Sequence, residues 1–218
     1  MRTLALAAVS LAAASLLAVE TVKTPINNDD VRVLDVVVQP HEKTKMHDHQ
    51  VNRVMIYRNA GAQAFEFKDG KASNLTFKAN QVLWSPRAEM HIAEVSTADP
   101  VNIVEIELKK GGAGKTVTTA LDPLKVDTKH YKLEFENDQV RVFRVKIGPH
   151  ESTPMHEHQL NRVNVYLTDA ATRVTAADGT VTTPAFKAGA IVSGGAAKHS
   201  ETNTSDQPIE VIVTELKY

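Results

Sequence analysis

Histidines carry most of the chemistry this chain offers. His47 and His49 stand two residues apart in KMHDHQVNRV (Lys45 to Val54), and His156 and His158 repeat that spacing in MHEHQLNRV (Met155 to Val163). Side chains two apart on a strand share a face, so each pair points one way. A third histidine follows downstream in each case, His91 after WSPRAEM and His199 after the matching stretch. Three imidazoles converging on one point hold a first-row divalent ion (iron, manganese, zinc or nickel) and leave its other positions open to water or substrate. The chain has no cysteine, so only histidines and carboxylates remain as ligands, and thiolate nucleophiles and disulfides are excluded. A single histidine is more often structural than ligating. Six of nine at matching places shift the balance towards metal, although duplication alone can copy a histidine that does nothing.

Arg53 and Arg162 stand four residues beyond the second histidine of each pair, where a metal site would welcome a carboxylate. Arginine stays protonated and does not ligate a cation. Either these side chains face inward and hold an anionic group beside the metal, or the strand turns them out to pair with a surface carboxylate. In the second case Asn52 and Asn161 become the inward polar residues. Tyr57 and Tyr166 share the parity of the histidines and either line the pocket or fill the core. Arg53 and Tyr57 are thus the candidate catalytic side chains. His41 and His150 sit in Pro-His-Glu turns and read as loop residues, and His130 has no counterpart in the other half.

These residues recur because the chain is a tandem repeat. A shift of 109 residues lays Val31–Tyr57 on Val140–Tyr166 with 16 of 27 positions identical. Asp69-Gly70 then meets Asp178-Gly179, and after one deletion His91 meets His199. The organisation expected is a leader over 1–18, one domain over 19–109, a glycine-rich linker over 110–118 and a second domain over 119–218. Short Val/Ile-rich runs such as Val54–Tyr57, Val101–Leu108 and Ile209–Leu216, separated by Asp-Gly turns, point to an all-β fold, with a sandwich or small barrel in each half. No stretch past the leader sustains a helical period. Trp84, ahead of His91, offers an apolar wall at the pocket mouth that the second half replaces with Ser193-Gly194-Gly195, or else it packs in the core or at an interface.

The bulk numbers narrow the partners. With 25 Lys and Arg against 26 Asp and Glu, the net charge is -1, which carries no footprint for nucleic acid. MRTLALAAVSLAAASLLA, residues 1–18, reads as a secretory signal peptide cleaved after Ala14 or Ala18. As a membrane anchor it would be short, since a span needs about 20 strongly apolar residues. The mature chain is therefore expected to be periplasmic or secreted, without stable membrane insertion. GGAGKT (Gly111 to Thr116) lacks the spacer of a phosphate loop.

In its histidine spacing the chain resembles the cupin superfamily, whose first motif reads G-x5-H-x-H-x3,4-E-x6-G. His47/His49 and His156/His158 match it. The second motif is carried by Pro86 and His91 in one half, with Asn80 and Ala88 at glycine positions, and by Gly189, His199 and Asn203 in the other. The resemblance implies two tandem jelly-roll barrels with a metal on His47, His49 and His91 and another on His156, His158 and His199. It places the motif glutamate where Arg53 and Arg162 stand, and His41 and His150 at the first motif glycine. Cupins often pair through strands, so a homo-oligomer is a further expectation. Two functions follow: a metal-dependent dioxygenase or isomerase acting on a small anionic substrate, or a non-catalytic small-ligand binder with vestigial metal sites.

Overall fold

The computed structural model describes residues 20–218, so the leader read over 1–18 lies outside the described residues. The first half is built from β1 (Glu20–Asn27), β2 (Val31–Val38), β3 (His47–His49), β4 (Arg53–Tyr57), β5 (Gly61–Phe67), β6 (Ala72–Phe77), β7 (Gln81–Ser85), β8 (Ala88–Val95) and β9 (Val101–Leu108). The second contains α1 (Pro123–Val126), β10 (Tyr131–Glu136), β11 (Val140–Ile147), β12 (His156–His158), β13 (Arg162–Tyr166), β14 (Ala170–Ala176), β15 (Val181–Thr182), β16 (Ala185–Phe186), β17 (Ile191–Gly194), β18 (Ala197–Asn203) and β19 (Ile209–Leu216). Each half folds into two antiparallel sheets: β1-β2-β9-β4-β7 with β3-β8-β5-β6, and β10-β11-β19-β13-β17 with β12-β18-β14-β15. The all-β expectation holds. The one helical turn among the described residues, α1, has a local cause in the Asp122 N-cap and Pro123 at its first position.

Strand alternation divides the five-stranded sheets into two working faces. On β4, Val54 and Ile56 enter one apolar cluster while Met55 and Tyr57 enter another. The first cluster draws Val31, Val104 and Ile106 from one half and Val142, Val165 and Ile212 from the other, so the large sheets pack face to face. The second cluster lies inside the first barrel, and its counterpart around Phe143, Tyr166 and Val211 lies inside the second. Because both faces are covered, β4 is buried along its whole length and reads as an unbroken apolar run apart from Arg53.

Turn chemistry follows the sequence closely. Gly70 and Gly179 take φ of 85° and 86° in the hairpins that join β5 to β6 and β14 to β15. His41 and His150 adopt φ of 58° and 57°, the left-handed conformation that a glycine at this turn would adopt without strain. Residues 110–118 carry no regular structure, but they are not free of contacts: Gly114 N–H donates to Asp138 O (3.1 Å), and a Cβ at Gly112 would sit 2.7 Å from the same oxygen.

Candidate metal centre

Strand pairing brings each triad together. On β3 and β8, His47 faces His91 and His49 faces Ala88, so one extra residue bulges from β8 between those pairs. In the second half His156 faces His199 and His158 faces Ala197 in regular register. The single deletion between the halves therefore falls at this bulge, beside the histidines, where bulges commonly re-aim side chains. Ring centroids stand 4.6–5.2 Å apart in the first triad and 4.5–5.6 Å apart in the second. In both triads the potential ligand atoms lie within 4.8 Å of one another. Ligand atoms grouped this closely surround a common point, as an ion bound at about 2.0–2.1 Å from each nitrogen requires.

The rings are also oriented. His47 Nδ1 lies 2.7 Å from Lys45 O, His91 Nδ1 2.8 Å from Glu89 O, and His156 Nδ1 2.9 Å from Pro154 O. Each carbonyl can only accept, so Nδ1 carries the proton and Nε2 keeps its lone pair for a metal. His158 Nδ1 makes the same kind of bond to Glu215 Oε1 (2.8 Å). His49 is the exception, for its ring meets Arg53.

Arg53 faces inward. It is 6% exposed; Nη1 lies 2.8 Å from Glu105 Oε2 and 2.8–2.9 Å from the His49 ring nitrogens, and Nη2 donates to Ser85 Oγ (2.9 Å). The alternative of an exit to a surface carboxylate is corrected: the partner is a buried glutamate on the adjacent strand. Arg162 differs, donating through Nη1 to Gly195 O. Its counterpart of Glu105 is Val213, so the second half offers no carboxylate there. Tyr57 lines the first cavity and stacks on Phe77 at 3.9 Å, and burial pushes its phenol up to about 12.

The two cavities measure ≈ 390 Å³ and ≈ 350 Å³. Glu105 faces the histidines in the first. In the second, Glu201 and Tyr131 do so from positions occupied in the first half by Ala93 and Val22. Tyr131 Oη lies 3.0 Å from His156 Nε2. The halves thus share their triads, an arginine (Arg53, Arg162) and a tyrosine (Tyr57, Tyr166), and differ in the carboxylates and in Tyr131.

No family model matches the chain, and no curated protein does. Solved structures do. AerE from Microcystis aeruginosa superposes with a TM-score of 0.68 at 14% identity, over 93% of this chain and 95% of that one. A cupin 2 conserved barrel domain protein from Leptotrichia buccalis matches with a TM-score of 0.56 at 14% identity, over 94% and 92%. The fold is a bicupin. A variant of Bacillus subtilis oxalate decarboxylase also superposes, with a TM-score of 0.63 at 12% identity over 90% of this chain and 72% of that one. Identity this low carries the fold alone.

Two open alternatives are settled within the bicupin frame. Asn52 and Asn161 do not point into the barrels: Asn52 Nδ2 donates to Gln139 Oε1 (2.5 Å) and Asn161 Nδ2 to Asp30 Oδ2 (3.1 Å), so each ties its half to the other. Gln139 and Asp30 are themselves repeat equivalents, which makes this a pseudo-symmetric pair of clasps. Trp84 borders the cavity, but it shares the parity of Val82, packs on the inter-half cluster and meets Phe135 edge-on at 6.3 Å. His130 is buried between Asp127 (2.8 Å) and Glu151 (3.1 Å), anchoring the start of β10 away from either triad. The residues missed in the sequence are Glu105, Ser85, Glu201, Glu215 and Tyr131. For Glu105 a signal existed, because VNIVEIEL puts glutamates at alternating places in an apolar strand.

Three of these imidazoles are held neutral. Burial, then Arg53, lowers His49 to about 3; burial, then Arg162, lowers His158 to about 2; burial, then His156, lowers His199 to about 3. The unfolded chain takes up these protons below about pH 6.5 while the folded chain does not, so stability is full above that pH and falls as pH drops towards 3. Thermal melts between about pH 7 and pH 4 should show Tm falling, and His199→Gln should flatten the fall. A Tm constant over that range would contradict the assignment.

Proposed function

We propose that this bicupin is a periplasmic or secreted metal-binding protein whose first barrel holds a divalent ion (iron, manganese, zinc or nickel) on His47, His49 and His91 and takes a small anionic ligand or substrate beside it. The observation that carries the metal is the orientation of His47 and His91, whose Nδ1–H bonds to backbone carbonyls direct both Nε2 lone pairs into the triad. The anion is supported by Arg53, whose Nε is buried without a partner and whose Nη2 bonds only Ser85. That Nε/Nη2 edge is the fork that grips a carboxylate or enolate. A bound ion would supply Lewis acidity or dioxygen activation. The protein's own groups orient the ligand through Arg53, exclude water with Met55, Phe65 and Leu83, and place the Tyr57 hydroxyl at the cavity wall. Oxidative cleavage or isomerisation is the reaction class this arrangement serves.

A second reading, non-catalytic ligand binding, is favoured for the second barrel by one contact. Tyr131 Oη stands 3.0 Å from His156 Nε2, the lone pair a metal would take, and donates its proton there; in the first barrel Arg53 Nη1 meets the His49 ring at 2.8–2.9 Å and has to shift for a metal to bind His49.

Metal analysis tests the proposal. Wild-type chain reconstituted separately with each ion should retain about one tight ion, and His47→Ala/His49→Ala should lose it while remaining folded. A wild-type chain that keeps no ion after reconstitution would refute the metal assignment.

A further inference from the structure

We infer that Glu105 is the carboxylate ligand of the first-barrel metal, supplied from β9 rather than from the histidine strand, with Arg53 as the residue that positions it. The inference rests on the metal reading above and adds a ligand to it.

Three observations carry it. His49, Glu105 and Glu107 bring ligand-capable atoms within 4.8 Å of one another, so a carboxylate stands beside His49, one member of the triad. Of the two glutamates only Glu105 is available: both Glu107 oxygens are taken by Arg32, through Nε and, at 3.0 Å, through Nη2. Glu105 gives Arg53 its Oε2 alone, and it lines the cavity. Finally, position 53 faces Glu107 directly across the β4–β9 ladder, with Glu105 opposite Met55 two residues along on the same face. A carboxylate on β9 therefore stands close to the position from which a glutamate at 53 would act. Arg53 becomes the outer partner of a ligating carboxylate, an arrangement that fixes the ligand's orientation.

Duplication does not account for this carboxylate. The equivalent of Glu105 is Val213, and the second barrel instead carries Glu201 where the first has Ala93. Glu105 is buried (9% exposed), and Arg53 gives it one hydrogen bond. A divalent ion at the triad supplies the remaining compensation that a carboxylate out of water requires.

The test is Co2+ affinity by chelator competition, with the visible d–d spectrum of bound Co2+ as a second readout. Glu105→Gln should weaken the tight ion at least about tenfold and alter the spectrum. Because this variant leaves Arg53 buried without its anion, Arg53→Met and Arg53→Met/Glu105→Gln form the control pair. The double variant should bind at least about tenfold more weakly than Arg53→Met. Equal affinity and an unchanged spectrum within that pair, with wild type binding one ion tightly, would overturn the Glu105 assignment and leave the triad standing. A wild-type chain that binds no Co2+ would sink both.

Discussion

Replacing Arg141 by methionine should cost about 3–5 kcal/mol of folding stability, the range for removing one partner of a buried ion pair. Arg141 is 4% exposed, and its Nη2 donates to Asp122 Oδ1 and Oδ2 at 2.9 and 3.1 Å while Nη1 lies 3.4 Å from Glu215 Oε2. Without it, two carboxylates that are 5% and 1% exposed lose their cation. The repeat supplies the control. Arg32 makes the equivalent pair with Glu107, but its side chain is half exposed and its removal strips one buried carboxylate rather than two, so Arg32→Met should cost less than Arg141→Met. The loss also reaches the second triad, because Glu215 Oε1 accepts the His158 Nδ1 proton and fixes that ring. Burial pushes the Glu215 carboxyl up to about 7, and Arg141 is the largest opposing influence, so the variant's Glu215 protonates more readily and releases its hold on His158. Urea titrations of the two variants decide the matter; equal costs would show that burial does not separate the pairs.

The contrast shows which parts of this molecule can be read from residues in order. The histidine triads were legible because their two determinants are local, a period-2 strand for His47 and His49 and a repeat that marks His91 by its copy. The Asp-Gly hairpins were legible for the same reason, since Gly70 and Gly179 satisfy a backbone need at their own positions. Arg53 was not, because its direction depends on Glu105, 52 residues away on a neighbouring strand, and only the β4–β9 register places the two together. The places of Asn52 and Trp84 stayed open because the repeat hides a second buried face. A strand covered on both sides offers two interiors, and these residues belong to the one between the halves. Tyr131 escaped because its counterpart, Val22, is 47% exposed at the molecule's edge.

That second interior should govern how the chain unfolds. Ile106→Ala removes three carbon atoms at a site with 0% exposure, and at large-to-small core sites of this kind the cost is about 2–5 kcal/mol. Its neighbours in the cluster include Val142, Val165 and Ile212 of the other half, so the cavity forms between the halves. Phe77, by contrast, packs within the first barrel beside Tyr57 and Val101. Ile106→Ala should therefore accelerate amide exchange in β19, where Ile212 lies, as well as in β9. Phe77→Ala, despite a cost of about 3–5 kcal/mol, should accelerate exchange in the first half alone. Were the two halves independent units joined only by residues 110–118, Ile106→Ala would leave β19 protection unchanged. The face-to-face cluster and the two asparagine clasps argue for the coupled outcome, because truncating one side of a shared apolar layer removes contacts from both.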